Sequence, residues 1–327
     1  MFRQKTTIVL TALILVGLTS AFSALPYTNA PIKAANPPDL QTTPQPETSV
    51  TPEDQPLSQT CSETQGQTYR LTSSTYWLEY PLDFTIHLPP CYQADYPGGY
   101  PVLYLLHGIG FTDDQWERLG ALSAADQLIL TGGSRPFIIV FPYERYSLIE
   151  PNGSEFPLAI VDNLIPFIDS TYPVCTQREC RAIGGLSRGA AWAVRLGLAY
   201  PDLFGYVGAH SLTPFFGDAE DVTSWVEVIS SGTHITSPFS ILMTIGGITV
   251  PLVFSPESEQ SVPPVIYLDI GNNDPELQAA REFEEALTQA HVMHEWYLNL
   301  GNHDEEYWSE HVSMYMNWYA SHWQINP

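Results

Sequence analysis

The sequence predicts an α/β fold, with a mainly parallel central sheet and helices on both of its faces. Two patterns carry that expectation. Short continuous apolar runs, such as Val102–Leu106 and Phe137–Phe141, are typical of strands buried on both sides. These runs alternate with segments of helical periodicity through most of the chain. A third observation concerns placement. His107, Ser187, Asp274 and His303 all fall just past predicted strand ends. Sheets of this kind hold their ligand chemistry at the carboxyl ends of the strands.

Taken in order, residues 1–24 are expected to be a signal peptide. Arg3 and Lys5 precede the apolar run Ile8–Leu18, and the small residues Ala21, Ser23 and Ala24 follow it. The alternative is a retained membrane anchor, because Ile8–Leu25 carries no charge and sits at the lower length limit for a span. Either way the rest of the protein is expected outside the cytoplasm, secreted or tethered facing outward. Residues 25–60 are rich in Pro, Thr and Gln and predict a disordered linker. The folded domain is expected over 61–327.

Tyr69–Tyr80 and Leu82–Leu88 predict two early antiparallel strands. Pro89-Pro90 ends the second, and Tyr96-Pro97-Gly98-Gly99 is a turn. The strand Val102–Leu106 leads to a helix over Thr112–Leu130. The strand Phe137–Phe141 leads to a helix over Leu158–Tyr172. A short strand ending at Ala182-Ile183 leads to a helix over Ala190–Ala199. Strands follow at Phe204–Ala209, Val265–Ile270 and His294–Leu300, with helices over Pro275–Ala290 and Trp308–Trp323. The stretch His210–Pro264 is long for a gap between two strands. Its apolar run Ile241–Phe254 is expected to form part of a small cap.

Charge narrows the function classes. The 327 residues carry a formal net charge of −24, with only 12 Lys and Arg. A polyanion would be repelled, so nucleic acid is excluded as a partner. No lysine follows Lys33, which removes Schiff-base and Ser-Lys chemistry from the folded region. The four cysteines fit an oxidising compartment. They allow three pairings. Cys175 and Cys180 lie close together in one loop and are expected to bond, leaving Cys61 and Cys91 as the second pair. No C-x-x-C occurs, so no metal site is expected there.

Gly185-Leu186-Ser187-Arg188-Gly189 is a G-x-S-x-G sequence between a predicted strand and a predicted helix. That context fits a nucleophile elbow, a turn so sharp that its neighbours must lack bulk. A serine hydroxyl needs a base, and the base needs a carboxylate to fix its tautomer. On an α/β-hydrolase scaffold the chain order is Ser, then Asp or Glu, then His. His303, in the polar loop Leu300-Gly301-Asn302-His303-Asp304, is the expected base. His291 and His294 lie at the other end of the last strand, and His311 and His322 on the closing helix. Asp274, in Gly271-Asn272-Asn273-Asp274-Pro275, is the expected acid. The same residue could serve only as a helix cap ahead of Pro275. Asp269 is the second candidate, but it lies inside a strand. Oxyanion donors are expected from the backbone amides of Arg188 and Ile109. His107 is expected to shape the loop that carries Ile109.

These motifs resemble the esterase D-like family of α/β hydrolases. The likeness runs through Tyr104-Leu105-Leu106-His107-Gly108-Ile109-Gly110 with Trp116, the Ser187 elbow, the Asp274 loop, and Gly301-Asn302-His303-Asp304 with Trp308. Feruloyl and acetyl xylan esterases, S-formylglutathione hydrolase and the antigen 85-type mycolyltransferases are members. The resemblance implies an α/β-hydrolase fold and a serine esterase with Ser187, His303 and Asp274 as its triad. It implies no cofactor and no metal. The expected substrate is a small-molecule or polysaccharide-linked ester, feruloyl or acetyl esters among them. Acyl transfer to a sugar or lipid hydroxyl is one alternative. A non-catalytic surface-binding protein on the same fold is the other. Arg188 departs from the family, where Met is frequent, and is expected to bring a cation near the site.

Overall fold

The computed structural model describes residues 62–149, 151–231, 233–235, 241–245, 248–254 and 261–324. In chain order the first strands are β1 (Gln67–Ser73), β2 (Leu82–Leu88) and β3 (Val102–Leu106). Helices α1 (Gln115–Arg118) and α2 (Ala121–Leu130) precede β4 (Ile138–Pro142). Helices α3 (Phe156–Ala159) and α4 (Ile165–Thr171) precede β5 (Arg181–Leu186). Then come α5 (Arg188–Ala199), β6 (Tyr206–His210) and α6 (Asp218–Ser230). The insertion supplies β7 (Thr233–Ile235), β8 (Ile241–Ile245) and β9 (Ile248–Phe254). The chain closes with β10 (Val265–Gly271), α7 (Leu277–Gln289), β11 (His294–Asn299) and α8 (Glu305–Ser321).

One eight-stranded sheet has the order β1-β2-β4-β3-β5-β6-β10-β11. The β1–β2 and β2–β4 pairs are antiparallel. Every other pair in this sheet is parallel. The mainly parallel sheet expected from the apolar runs is therefore present. β3 shows why those runs are continuous. Val102, Tyr104 and Leu106 pack on one face with Trp192 of α5, Trp225 of α6 and Phe283 of α7. Leu103 and Leu105 pack on the other with Trp116 of α1, Ala125 of α2 and Tyr315 and Tyr319 of α8. Alternate side chains enter opposite cores, so neither face tolerates polarity.

Several boundaries differ from the expected ones, each for a local reason. β1 stops at Ser73, seven residues before Tyr80. Beyond it the Trp77 amide donates to Thr75 Oγ1 at 3.0 Å and the Trp77 indole to Asp162 at 2.9 Å, which bends the chain away from the ladder. The single helix expected over 112–130 is two, broken at Gly120, whose φ of 93° is left-handed. The helix expected over 158–172 is interrupted by a π turn at Ile160–Leu164, with Pro166 at the start of α4 unable to donate. α8 begins at Glu305, before Trp308, because Asp304 caps it by accepting from the Tyr307 amide at 3.0 Å.

The insertion forms its own antiparallel sheet, in the order β7-β9-β8. Side chains of the run expected to form a cap lie outside the described residues. Cys175 and Cys180 are disulfide-bonded in the loop ahead of β5. Cys91 is also disulfide-bonded, while its expected partner Cys61 lies outside the described residues. The expected signal peptide or anchor (1–24) and linker (25–60) lie outside them as well. Among the described residues, no helix is long and apolar enough to cross a membrane.

Candidate active site

β5 ends at Leu186 and α5 begins at Arg188, so Ser187 alone makes the turn. Its φ of 54° and ψ of −115° are costly for a residue with a Cβ. The turn closes only because its flanks are glycines. A Cβ on Gly185 would meet the carbonyl of Gly189, and one on Gly189 would meet the carbonyl oxygen of Leu106. The Ser187 amide donates to the His210 carbonyl at 2.9 Å, which ties the elbow to the end of β6.

His303 lies in the loop between β11 and α8. Its Nε2 is 2.8 Å from Ser187 Oγ, and its Nδ1 is 2.7 Å from Asp274 Oδ2. With the proton on Nδ1 the imidazole donates to the carboxylate and accepts from the serine hydroxyl. Asp274 is buried, and its second oxygen accepts from the Glu276 amide at 2.9 Å. The helix-capping contact and the imidazole contact therefore coexist on separate oxygens. The two loops are also bonded to each other. The Asn273 amide donates to Gly301 O at 2.9 Å, and the Gly301 amide donates to Asn272 Oδ1 at 3.0 Å.

The loop after β3 is held from three sides. The Gly108 amide donates to Gln115 Oε1 at 2.8 Å. The Gly110 amide donates to Ser147 Oγ at 3.0 Å, and the Phe111 amide to Gly108 O at 3.2 Å. Among the described residues, no protein acceptor takes the Ile109 amide. Ile109 and Ser187 line the same cleft. The Arg188 amide is the first of α5, so no intrahelical carbonyl satisfies it, and the positive end of the helix dipole lies there.

The Arg188 side chain does not bring a free cation to the substrate. It is buried and forms a two-point pair with Glu144, at 2.9 and 2.7 Å. The Trp192 indole donates to the same carboxylate at 3.1 Å. A buried guanidinium needs such a partner, and Glu144 supplies it from the chain beyond β4.

His107 joins the same wall. Its Nδ1 donates to Gly108 O at 2.8 Å, and its Nε2 accepts from the Glu144 amide at 2.9 Å. Burial pushes this imidazole below its ordinary value. A depressed histidine stabilises the fold above its unfolded value, about 6.5, and that contribution is lost as pH falls toward the lower folded value. Protonation would also turn Nε2 into a donor facing the Glu144 amide. The melting temperature should therefore fall as pH drops below about 6.5. In a His107→Gln variant that part of the fall should disappear, which thermal melts from pH 8 to 5 would measure.

The cleft beside Ser187 has a volume of about 340 Å³. Ile109, Phe111 and Trp308 give it apolar walls, and Asp304 and Glu305 border it. Asp269 is not near His303 in the hydrogen-bond network. It pairs with His210 at 2.7 Å and accepts from the hydroxyls of Tyr307 and Tyr315 at 2.6 and 2.8 Å. Burial and this carboxylate raise both tyrosines, which keeps them protonated as donors. Three contacts were not anticipated. The Trp308 ring meets His303 edge-on at 5.2 Å while its indole donates to Ser211 Oγ at 2.9 Å. Thr213 Oγ1 lies 3.3 Å from Ser187 Oγ. Trp308 could have been suspected from its place after the histidine loop; Thr213 offered no comparable signal. Among the described residues, no three His, Cys, Asp or Glu side chains group as metal ligands.

Comparisons with known proteins agree on one family. The family model described as "Putative esterase" matches residues 76–321. An endo-1,4-beta-xylanase/feruloyl esterase of Xylanibacter ruminicola is 35% identical over 116 residues, covering 33% of this chain and 16% of that protein. An esterase of Mycobacterium tuberculosis is 28% identical over 229 residues, covering 62% of this chain and 48% of that protein. The chain thus spans less than half the length of both relatives. Among solved structures, a ferulic acid esterase superposes with a TM-score of 0.63 at 22% identity, covering 79% of this chain and 99% of that one. At that identity the likeness establishes the fold, which is that of the α/β hydrolases.

Proposed function

This chain belongs to the esterase family whose model spans residues 76–321, and on that premise we propose that it is a serine carboxylic-ester hydrolase. The observation that carries the reading is the continuous chain of hydrogen bonds from Ser187 Oγ through His303 to Asp274, at 2.8 and 2.7 Å. Ser187 Oγ attacks the ester carbonyl carbon while its proton passes to His303 Nε2. The carbonyl π electrons move onto oxygen, and the amides of Ile109 and Arg188 stabilise that charge. Collapse breaks the bond to the leaving alkoxide, which takes the proton from Nε2. Water repeats the sequence on the acyl-enzyme and releases the acid. Asp274 holds the imidazole in the competent tautomer and stabilises its charged form.

We assign the substrate to acyl esters of plant-type polysaccharides or small mimics of them, with feruloyl or acetyl as the acyl group. The names of the relatives and the apolar walls at Phe111 and Trp308 support an aromatic acid in the cleft. The disulfides at Cys175–Cys180 and at Cys91 support an oxidising compartment outside the cytoplasm.

A fluorophosphonate probe tests the mechanism. It should attach to Ser187 in stoichiometric amount and abolish turnover of methyl ferulate and p-nitrophenyl acetate together. An unlabelled, folded protein would sink the reading.

A further inference from the structure

Resting on the ester-hydrolysis reading, we propose that Thr213 is a catalytic residue that favours water over alcohols as the group accepting the acyl chain. Its hydroxyl lies 3.3 Å from Ser187 Oγ, the atom that carries the acyl group. Ser187 has a single hydroxyl proton, and that proton is directed to His303 Nε2 at 2.8 Å. In the free enzyme Thr213 must therefore be the donor and Ser187 Oγ the acceptor.

Thr213 is held firmly enough to act. Upstream, Ser211 sits at a left-handed φ of 46°. Its amide donates to Asp269 O at 2.8 Å, and its Oγ accepts from the Trp308 indole at 2.9 Å. Downstream, Pro214 restricts the backbone of Thr213 to extended conformations. The Phe215 amide then donates to Asp218 Oδ2 at 2.9 Å, and Arg195 Nε donates to Asp218 Oδ1 at 2.8 Å in the buried core. The Phe215 ring packs on Trp192 at 4.7 Å and under the Arg195 guanidinium at 4.4 Å. The hydroxyl is thus placed by clamps on both sides and pays little entropy on binding a second group.

Acylation changes what that hydroxyl faces. Ser187 Oγ becomes an ester oxygen, a poor acceptor without a proton, and Thr213 is released from it. The incoming nucleophile gives one proton to His303 Nε2 as its oxygen lone pair forms the bond to the acyl carbon. The bond from that carbon to Ser187 Oγ then breaks, and Oγ takes the proton back from Nε2. Water has a second hydrogen that needs an acceptor beside Ser187, and Thr213 Oγ1 can take it after rotating. An alcohol has carbon at that position. It gains nothing from the hydroxyl.

The test is partitioning of the acyl-enzyme in the full chain, with p-nitrophenyl acetate as donor and 1-propanol as added acceptor. Thr213→Val should raise the ratio of propyl acetate to acetate about fivefold, the equivalent of about 1 kcal/mol for one neutral hydrogen bond. The ratio is read from the products of one acyl-enzyme, so it does not depend on how fast that intermediate forms. Thr213→Ser should keep the wild-type ratio. Thr213→Ala removes the same hydroxyl without the branch, so it must also raise the ratio even if valine disturbs the loop. An unmoved ratio in the Val and Ala variants, with p-nitrophenol still released, overturns the assignment of Thr213 alone. No p-nitrophenol release from the wild type overturns the ester-hydrolysis reading and this assignment together.

Discussion

Ser187→Ala is expected to lower kcat for an aryl ester about a million-fold, the scale seen when a triad nucleophile is removed. The proposed covalent step has no second candidate. Among the described residues, the other hydroxyl at the elbow is Thr213, which bonds to Ser187 rather than to His303. Stability should change little. Alanine fits the same turn, its amide still donates to the His210 carbonyl, and the lost hydroxyl sits at the edge of the cleft. The measurement is p-nitrophenyl acetate turnover beside a thermal melt. Turnover above about a hundredth of wild type, with an unchanged melt, would show that another group carries the acyl chain.

Asp274→Asn should cost about ten-thousand-fold in kcat and leave the fold intact. The reason lies in the two oxygens of Asp274. One accepts from the Glu276 amide, and asparagine can keep that bond only by placing its carbonyl there. Its NH₂ then faces His303 Nδ1, where the carboxylate oxygen stood at 2.7 Å. An amide donor at Nδ1 forces the imidazole proton onto Nε2. That nitrogen then points a hydrogen at Ser187 Oγ and cannot accept one. KM should move little, because the apolar walls of the cleft are untouched. Steady-state kinetics and a melt test both parts. Loss of activity accompanied by loss of fold would mean that Asp274 acts chiefly as the cap of the α7 region. Retained activity would mean that it does not set the tautomer.

The fold was legible because its evidence is local. Each apolar run in the parallel sheet needs only its own few residues to show that both faces are buried. The boundaries were less legible where side chains compete with the backbone, as at Thr75, or where one residue changes the helix, as at Gly120 and Pro166. The candidate site was partly legible for the same reason. Ser187 is framed by glycines within two positions, and those glycines relieve a clash inside one turn. His303 and Asp274 follow from chain order and from polar loops after strands, and the structure brings their atoms within bonding distance.

Other features of the site depend on crossings between distant segments. Which amide in the loop after β3 stays free was decided by Gln115 and Ser147, which take the amides on either side of Ile109. Whether Arg188 faces the substrate was decided by Glu144, 44 residues away. Which aspartate meets His303 was decided by His210 and two tyrosines, which occupy Asp269. The order of strands and helices and the turn at Ser187 are thus properties of short stretches, written in apolar spacing and in residue size. The assignment of each donor to its acceptor is not. Burial strongly favours pairing each polar group, and only the folded chain decides which partner is within reach.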